Sequence, residues 1–149
     1  MRATVSTRMA MRWWSSSIAL AVVAACTTTQ RYYLPSEDQP RLTTDLMRDR
    51  GHNIVRAECP RLLGARAEVT GVADIRIDVE ADGDVRRAMV ARSSGDERMD
   101  EIFGGLAAQL KVDPPGNVSG ETIPGSLKLG YSCSPTAGTI TIEGVTLTG

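Results

Sequence analysis

Residues 73–91 read ADIRIDVEADGDVRRAMVA, and their spacing decides the fold. Ala73, Ile75, Ile77 and Val79 alternate with Asp74, Arg76, Asp78 and Glu80. A period of two puts the apolar side chains on one face of an extended chain, so this stretch predicts a strand with one buried face. Asp82-Gly83 then suits a hairpin turn, because glycine tolerates positive φ. Val85 to Arg92 returns as a second strand with less regular alternation. Two strands joined by a tight turn run antiparallel.

The pattern changes period downstream. In SSGDERMDEIFGGLAAQLKV, residues 93–112, Met99, Ile102, Phe103, Leu106 and Leu110 fall on one helical face. Ser94 and Glu97 fit a capping box at its start, and Pro114-Pro115 mark its end. Gly104 and Gly105 each cost about 1 kcal/mol against alanine inside a helix, and glycine there lets the helix sit close to the sheet. IPGSLKLGYSC, residues 123–133, predicts a third strand with Leu127, Leu129 and Tyr131 on one face. CPRLLGARA, residues 59–67, predicts a short first helix with Pro60 at its first position, where the missing N–H costs nothing. The expected fold is therefore α+β: a three-stranded antiparallel sheet with two helices on one face. GTITIEGVTLTG, residues 138–149, either adds an edge strand or hangs as a tail.

The N-terminus reads as an address. Residues 1–12 carry Arg2, Arg8 and Arg12, and residues 13–25, WWSSSIALAVVAA, are mostly apolar. That is a positive region followed by an apolar run shorter than the roughly 20 residues a spanning helix needs. Val23-Ala24-Ala25-Cys26 resembles the lipobox of bacterial lipoproteins. The resemblance implies cleavage before Cys26 and lipidation of its thiol. The alternative is an ordinary signal peptide that leaves Cys26 a plain thiol. Thr27, where an Asp would retain the protein in the inner membrane, favours the periplasmic face of the outer membrane. Residues 1–25 are thus expected as signal peptide, 26–57 as a loosely ordered tether in which LTTDLMRDRG, residues 42–51, forms two helical turns capped by Thr43 or Thr44 and stopped by Gly51, 58–133 as the folded domain and 134–149 as tail or edge strand.

The order and punctuation of residues 57–133 resemble the C-terminal domain of TonB-family proteins, the energy transducer TonB and its TolA-like relatives. The residues that carry the likeness are Cys59-Pro60 opening a helix, Gly71 before a strand, Asp82-Gly83 at a hairpin, Ser93-Ser94-Gly95, Asp100 in the long helix, and Pro114. The family usually has Tyr where Cys59 stands, and an aromatic-rich close to the long helix where this chain has QLKVDP. The resemblance implies a domain that binds an extended peptide segment of an outer-membrane receptor along a strand edge, here Leu127, Lys128, Leu129, Gly130 and Tyr131. That edge is either open to a peptide or covered by the tail. The uncleaved membrane helix and long proline-rich spacer of a true transducer are absent from this sequence, which disfavours energy transduction. The expected function is a non-catalytic envelope lipoprotein, membrane-bound through its lipid, that docks a peptide strand or envelope protein; the alternative is an accessory or transducer in TonB-dependent transport.

With Cys26 lipidated, Cys59 and Cys133 remain in an oxidising compartment. They either close a disulfide across the domain or stay as two buried or reduced thiols. The only histidine, His52, lies in the expected tether and reads as a solvated loop residue. Asp82 and Asp84 flank a turn glycine without the continuation of a calcium loop. No phosphate loop, zinc spacing or nucleophile with a base is present, so no catalytic residue, metal, cofactor or small-molecule substrate is expected. Past residue 26 the chain carries 14 basic and 18 acidic residues and its aromatics are Tyr32, Tyr33, Phe103 and Tyr131. That balance excludes a basic or aromatic nucleic-acid surface.

Overall fold

The computed structural model describes residues 30–113 and 121–148. Its elements are β1 (Tyr32–Tyr33), α1 (Thr44–Leu63), β2 (Val69–Val79), β3 (Val85–Arg92), α2 (Glu97–Ala108), β4 (Ile123–Cys133) and β5 (Gly138–Leu147). The α+β class holds. The sheet, however, has five strands rather than three, in the order β1-β3-β2-β4-β5, with every neighbouring pair antiparallel. The two added strands lie at its edges.

The bounds of β3 and β4 coincide with the sequence reading. The weak alternation of β3 has a physical cause. Its register against β2 shifts twice, between Asp74 and Ile75 and between Asp78 and Val79. Each shift inserts one residue into β3 and moves the following side chains to the other face. The turn between β2 and β3 spans residues 80–84: Glu80 N–H donates to the Asp84 carbonyl at 2.8 Å and Gly83, at φ 92°, donates to Glu80 at 2.9 Å.

The first helix departs most from expectation. The turns expected after Thr43 and the short helix expected at Cys59 are one element: it begins at Thr44, capped by the Thr43 hydroxyl as one of the two expected caps, and runs 20 residues through the stretch expected as a tether. Its buried residues Met47, Gly51, Val55, Cys59 and Leu62 recur every four or three positions and make one stripe. Gly51 is part of that stripe rather than a stop, because a Cβ there would collide with Ile140 on β5. Pro60 sits in the last turn, not the first.

The second helix is capped by Asp96, whose carboxylate accepts from Met99 N–H at 2.9 Å, rather than by Ser94. Ser94 instead gives its backbone N–H and hydroxyl to Asp100, at 2.7 and 2.6 Å. The helix ends at Ala108, before Pro114, which lies outside the described residues. Residues 109–112 leave it to bond with Leu42, Gly83 and Val85.

Both helices cover one face of the sheet, α1 over β4 and β5 and α2 over β3, β2 and β1. The core between them holds Met47, Val55, Ile75, Ile77, Val79, Val85, Met99, Phe103, Leu110 and Leu129, all essentially without exposure. A charged chain bridges the helices: Arg61 takes Asp96 in a two-pronged pair and also binds Glu58, which accepts from Arg98. Hydrogen bonds from Arg61 hold both the Asp96 and the Glu58 carboxyl below the usual range.

Only one of the paired glycines in α2 has a packing reason. A Cβ on Gly104 would enter the Tyr33 ring of β1, whereas nothing lies within 4 Å of one on Gly105. Gly105→Ala is therefore expected to raise stability by about 1 kcal/mol, and Gly104→Ala to lower it by about 1–3 kcal/mol through overpacking. Urea denaturation of the two variants, run side by side, checks the opposite signs.

Candidate functional site

Cys26 lies outside the described residues. Cys59, near the end of α1, and Cys133, the last residue of β4, are paired at disulfide geometry, with Cα atoms 5.3 Å apart and a sequence separation of 74. Both are buried, at 5% and 0% exposure.

Leu127 to Tyr131 do not form a free edge. They lie inside β4, paired with β2 on one side and β5 on the other: Leu129 faces Ala73 and Ile142, and Tyr131 faces Gly71 and Ile140. Leu127, Leu129 and Tyr131 point into the core, and burial pushes the Tyr131 hydroxyl pKa up. Gly130 is buried, and Lys128 alone reaches the open face. The tail thus occupies the edge, which decides between the two sequence readings.

The edge has moved outward, to β5. On the opposite side of the sheet β1 covers only Ala88 and Met89 of β3. Among the described residues no strand pairs with the outer side of β5 along its ten residues. Ile140 and Ile142 face the core side, and Thr139, Thr141 and Glu143 the open side. The register against β4 jumps after Ser126, leaving one extra residue on β5 near Gly144; this bulge returns Val145 and Leu147 to the core side.

His52 lies against this edge, not in a solvated loop. It stands half-buried on α1, and its Nδ1 accepts the Ile140 backbone N–H at 3.1 Å. That N–H points away from β4, toward the outer edge. Residues of an antiparallel strand alternate between bonding one neighbour and facing the other, so the backbone polar groups of Ile142 face outward too. No local pattern announces this role, because the acceptor and donor are 88 positions apart.

The remaining candidates have structural employment. Asp82 accepts from Asp84 N–H at 2.9 Å inside the turn. Asp84 pairs with Lys111 at 2.9 Å and with Arg41 at 3.5 Å. Among the described residues no group of three or more His, Cys, Asp or Glu side chains is placed to hold a metal ion, and no helix is long and apolar enough to cross a membrane. No protein-family model matches the chain, nor does any curated protein or solved structure.

Proposed function

We propose that this chain is a non-catalytic lipoprotein of the bacterial envelope, anchored through Cys26, whose α+β domain binds an extended segment of an envelope protein by adding it to the sheet as a further strand. The observation that carries the reading is the outer edge of β5. Main-chain donors and acceptors along such an edge give affinity to any extended chain, and alternate side chains give selectivity. Exposed edges are normally blunted by charges, prolines, bulges or cover; β5 carries one charged residue, Glu143, one bulge near Gly144 and no proline. The TonB-family likeness of residues 57–133 supports strand addition, with the docking edge moved one strand outward. The lipobox-like run before Cys26 supports the anchor and the compartment.

A photo-crosslinking residue at Thr141, introduced in the full chain in growing cells, tests the reading. It is expected to give a discrete envelope-protein adduct that disappears with Ile142→Pro. That proline removes an outward N–H while sparing the bonds to β4. An adduct indifferent to Ile142→Pro, or no adduct at Thr141, speaks against docking at this edge. Intact mass of the membrane-extracted protein reads the anchor: an uncut, unacylated N-terminus removes the lipoprotein half of the reading.

A further inference from the structure

The open face of the sheet, opposite the helices, carries a row of charges that crosses four strands. Arg92 on β3 stands opposite Asp74 on β2, Asp74 opposite Lys128 on β4, and Lys128 opposite Glu143 on β5. The signs alternate along the row. Arg92 Nε reaches Asp74 Oδ2 at 2.8 Å, and Lys128 Nζ lies 3.9 Å from Glu143 Oε2. A second row repeats the order at Arg87 and Asp78, which form an ion pair. Opposite charges directly across a ladder stabilise the pairing and like charges weaken it. The first row ends on an acid at the free edge, with its side chain 70% exposed.

Two further features surround that end. The β5 bulge opens a depression of about 380 Å³ on the open face, lined by Asp74, Arg76, Ser126, Lys128, Glu143 and Thr146 among others. At its floor Asp74 Oδ1 is buried without a hydrogen-bond partner. Lys128 therefore sits between two carboxylates, within ion-pair distance of one of them. At the other end of the edge, His52 already holds the Ile140 N–H, so an added strand finds its first free outward N–H at Ile142.

We propose that the outer edge of β5 from Ile142 to Leu147 selects an extended segment with a lysine or arginine opposite Glu143 and alternating apolar side chains toward the helices, in a frame whose upper limit is His52. This rests on the strand-docking reading above and adds the partner's charge and register. A second copy of the chain fits less well. In the symmetric antiparallel register centred on residue 143, which overlaps residues 139–147 of two β5 strands, Glu143 stands against its own copy, a like-charge pair.

The test is titration of the isotope-labelled full chain with two nonapeptides of alternating threonine and valine, identical except for a central lysine or a central glutamate. The lysine peptide is expected to bind about tenfold more tightly at low salt, with the gap shrinking at 1 M salt. Glu143→Lys is expected to reverse the preference. Amide shifts should run from Ile142 to Leu147 and spare Ile140 until His52→Ala frees it. Equal binding of both peptides along β5 overturns the charge register and leaves strand docking standing. A shifted Ile140 amide in the parent overturns the His52 limit. Silence of all β5 amides with both peptides sinks the inference and the docking reading together. Concentration-dependent β5 shifts without peptide assign the edge to a second copy and overturn the proposal.

Discussion

Reduction of the Cys59–Cys133 bond is expected to lower the stability of the domain by about 4 kcal/mol, against a total of about 5–15 kcal/mol for an ordinary domain. In a domain of this size such a loss moves the melting midpoint down by roughly 15–30 °C. The magnitude follows from the length of chain enclosed. The two residues are separated by 74 positions, and the span includes β2, β3, α2 and nearly all of β4. Closing so long a loop restricts the unfolded chain far more than it restricts the native one. The bond also ties α1, which arrives from outside the predicted three-strand core, to the strand it covers. Because both sulfurs are buried, reductant alone acts slowly on the folded protein. The comparison therefore uses chemical denaturation of oxidised protein and of protein reduced while unfolded and then refolded. Cys59→Ala with Cys133→Ala repeats the test without reductant. Oxidised and reduced curves that coincide within about 1 kcal/mol would show that the cross-link contributes little to stability.

The parts of the fold legible in the sequence are those governed by local periodicity. The bounds of β3 and β4 are written in alternation and turn residues, and the apolar stripe of α2 in three- and four-residue spacings. β1 is two residues long, too short for any period. It exists because Tyr33 packs on Gly104 of α2 and because Arg31 and Arg87 lie over the Tyr33 and Tyr32 rings. The stripe of α1 escapes notice because a glycine and a cysteine hold two of its places, and the Pro60 that looks like a start falls in its last turn. In each case a tertiary contact supplies what the local pattern lacks. The covering of β4 is legible only in part, for a related reason. Alternation in residues 138–147 marks a strand, but only pairing with β4 shows that this strand covers Leu127 to Tyr131 and presents its own far side. His52 was unreadable altogether, since its partner is a backbone N–H on that same strand.

Phe103→Ala is expected to cost about 3–5 kcal/mol, and Phe103→Leu less than about 1.5 kcal/mol. Phe103 is the only phenylalanine of the chain and is wholly buried. Its ring lies 6.3 Å from that of Tyr131, tilted by 42°, and so joins α2 to β4 across the middle of the sheet. Phe103 and Tyr131 are the only aromatic members of the buried core among the described residues, which is otherwise built mainly from Ile, Val, Leu, Met and Ala. Alanine leaves a cavity there, whereas leucine keeps most of the volume. Urea denaturation separates the two, provided the slope with denaturant stays constant. A cost for alanine no greater than that for leucine would mean that the core collapses onto the site. The loss should also stay away from the proposed docking edge. α2 covers β3, β2 and β1, while α1 covers β4 and β5, and the His52–Ile140 bond belongs to the α1 half. At temperatures where Phe103→Ala is still folded, the β5 amides should therefore respond to the lysine peptide as in the parent. A weakened response with native β5 shifts in the free protein would mean that the two halves of the core are coupled through Tyr131.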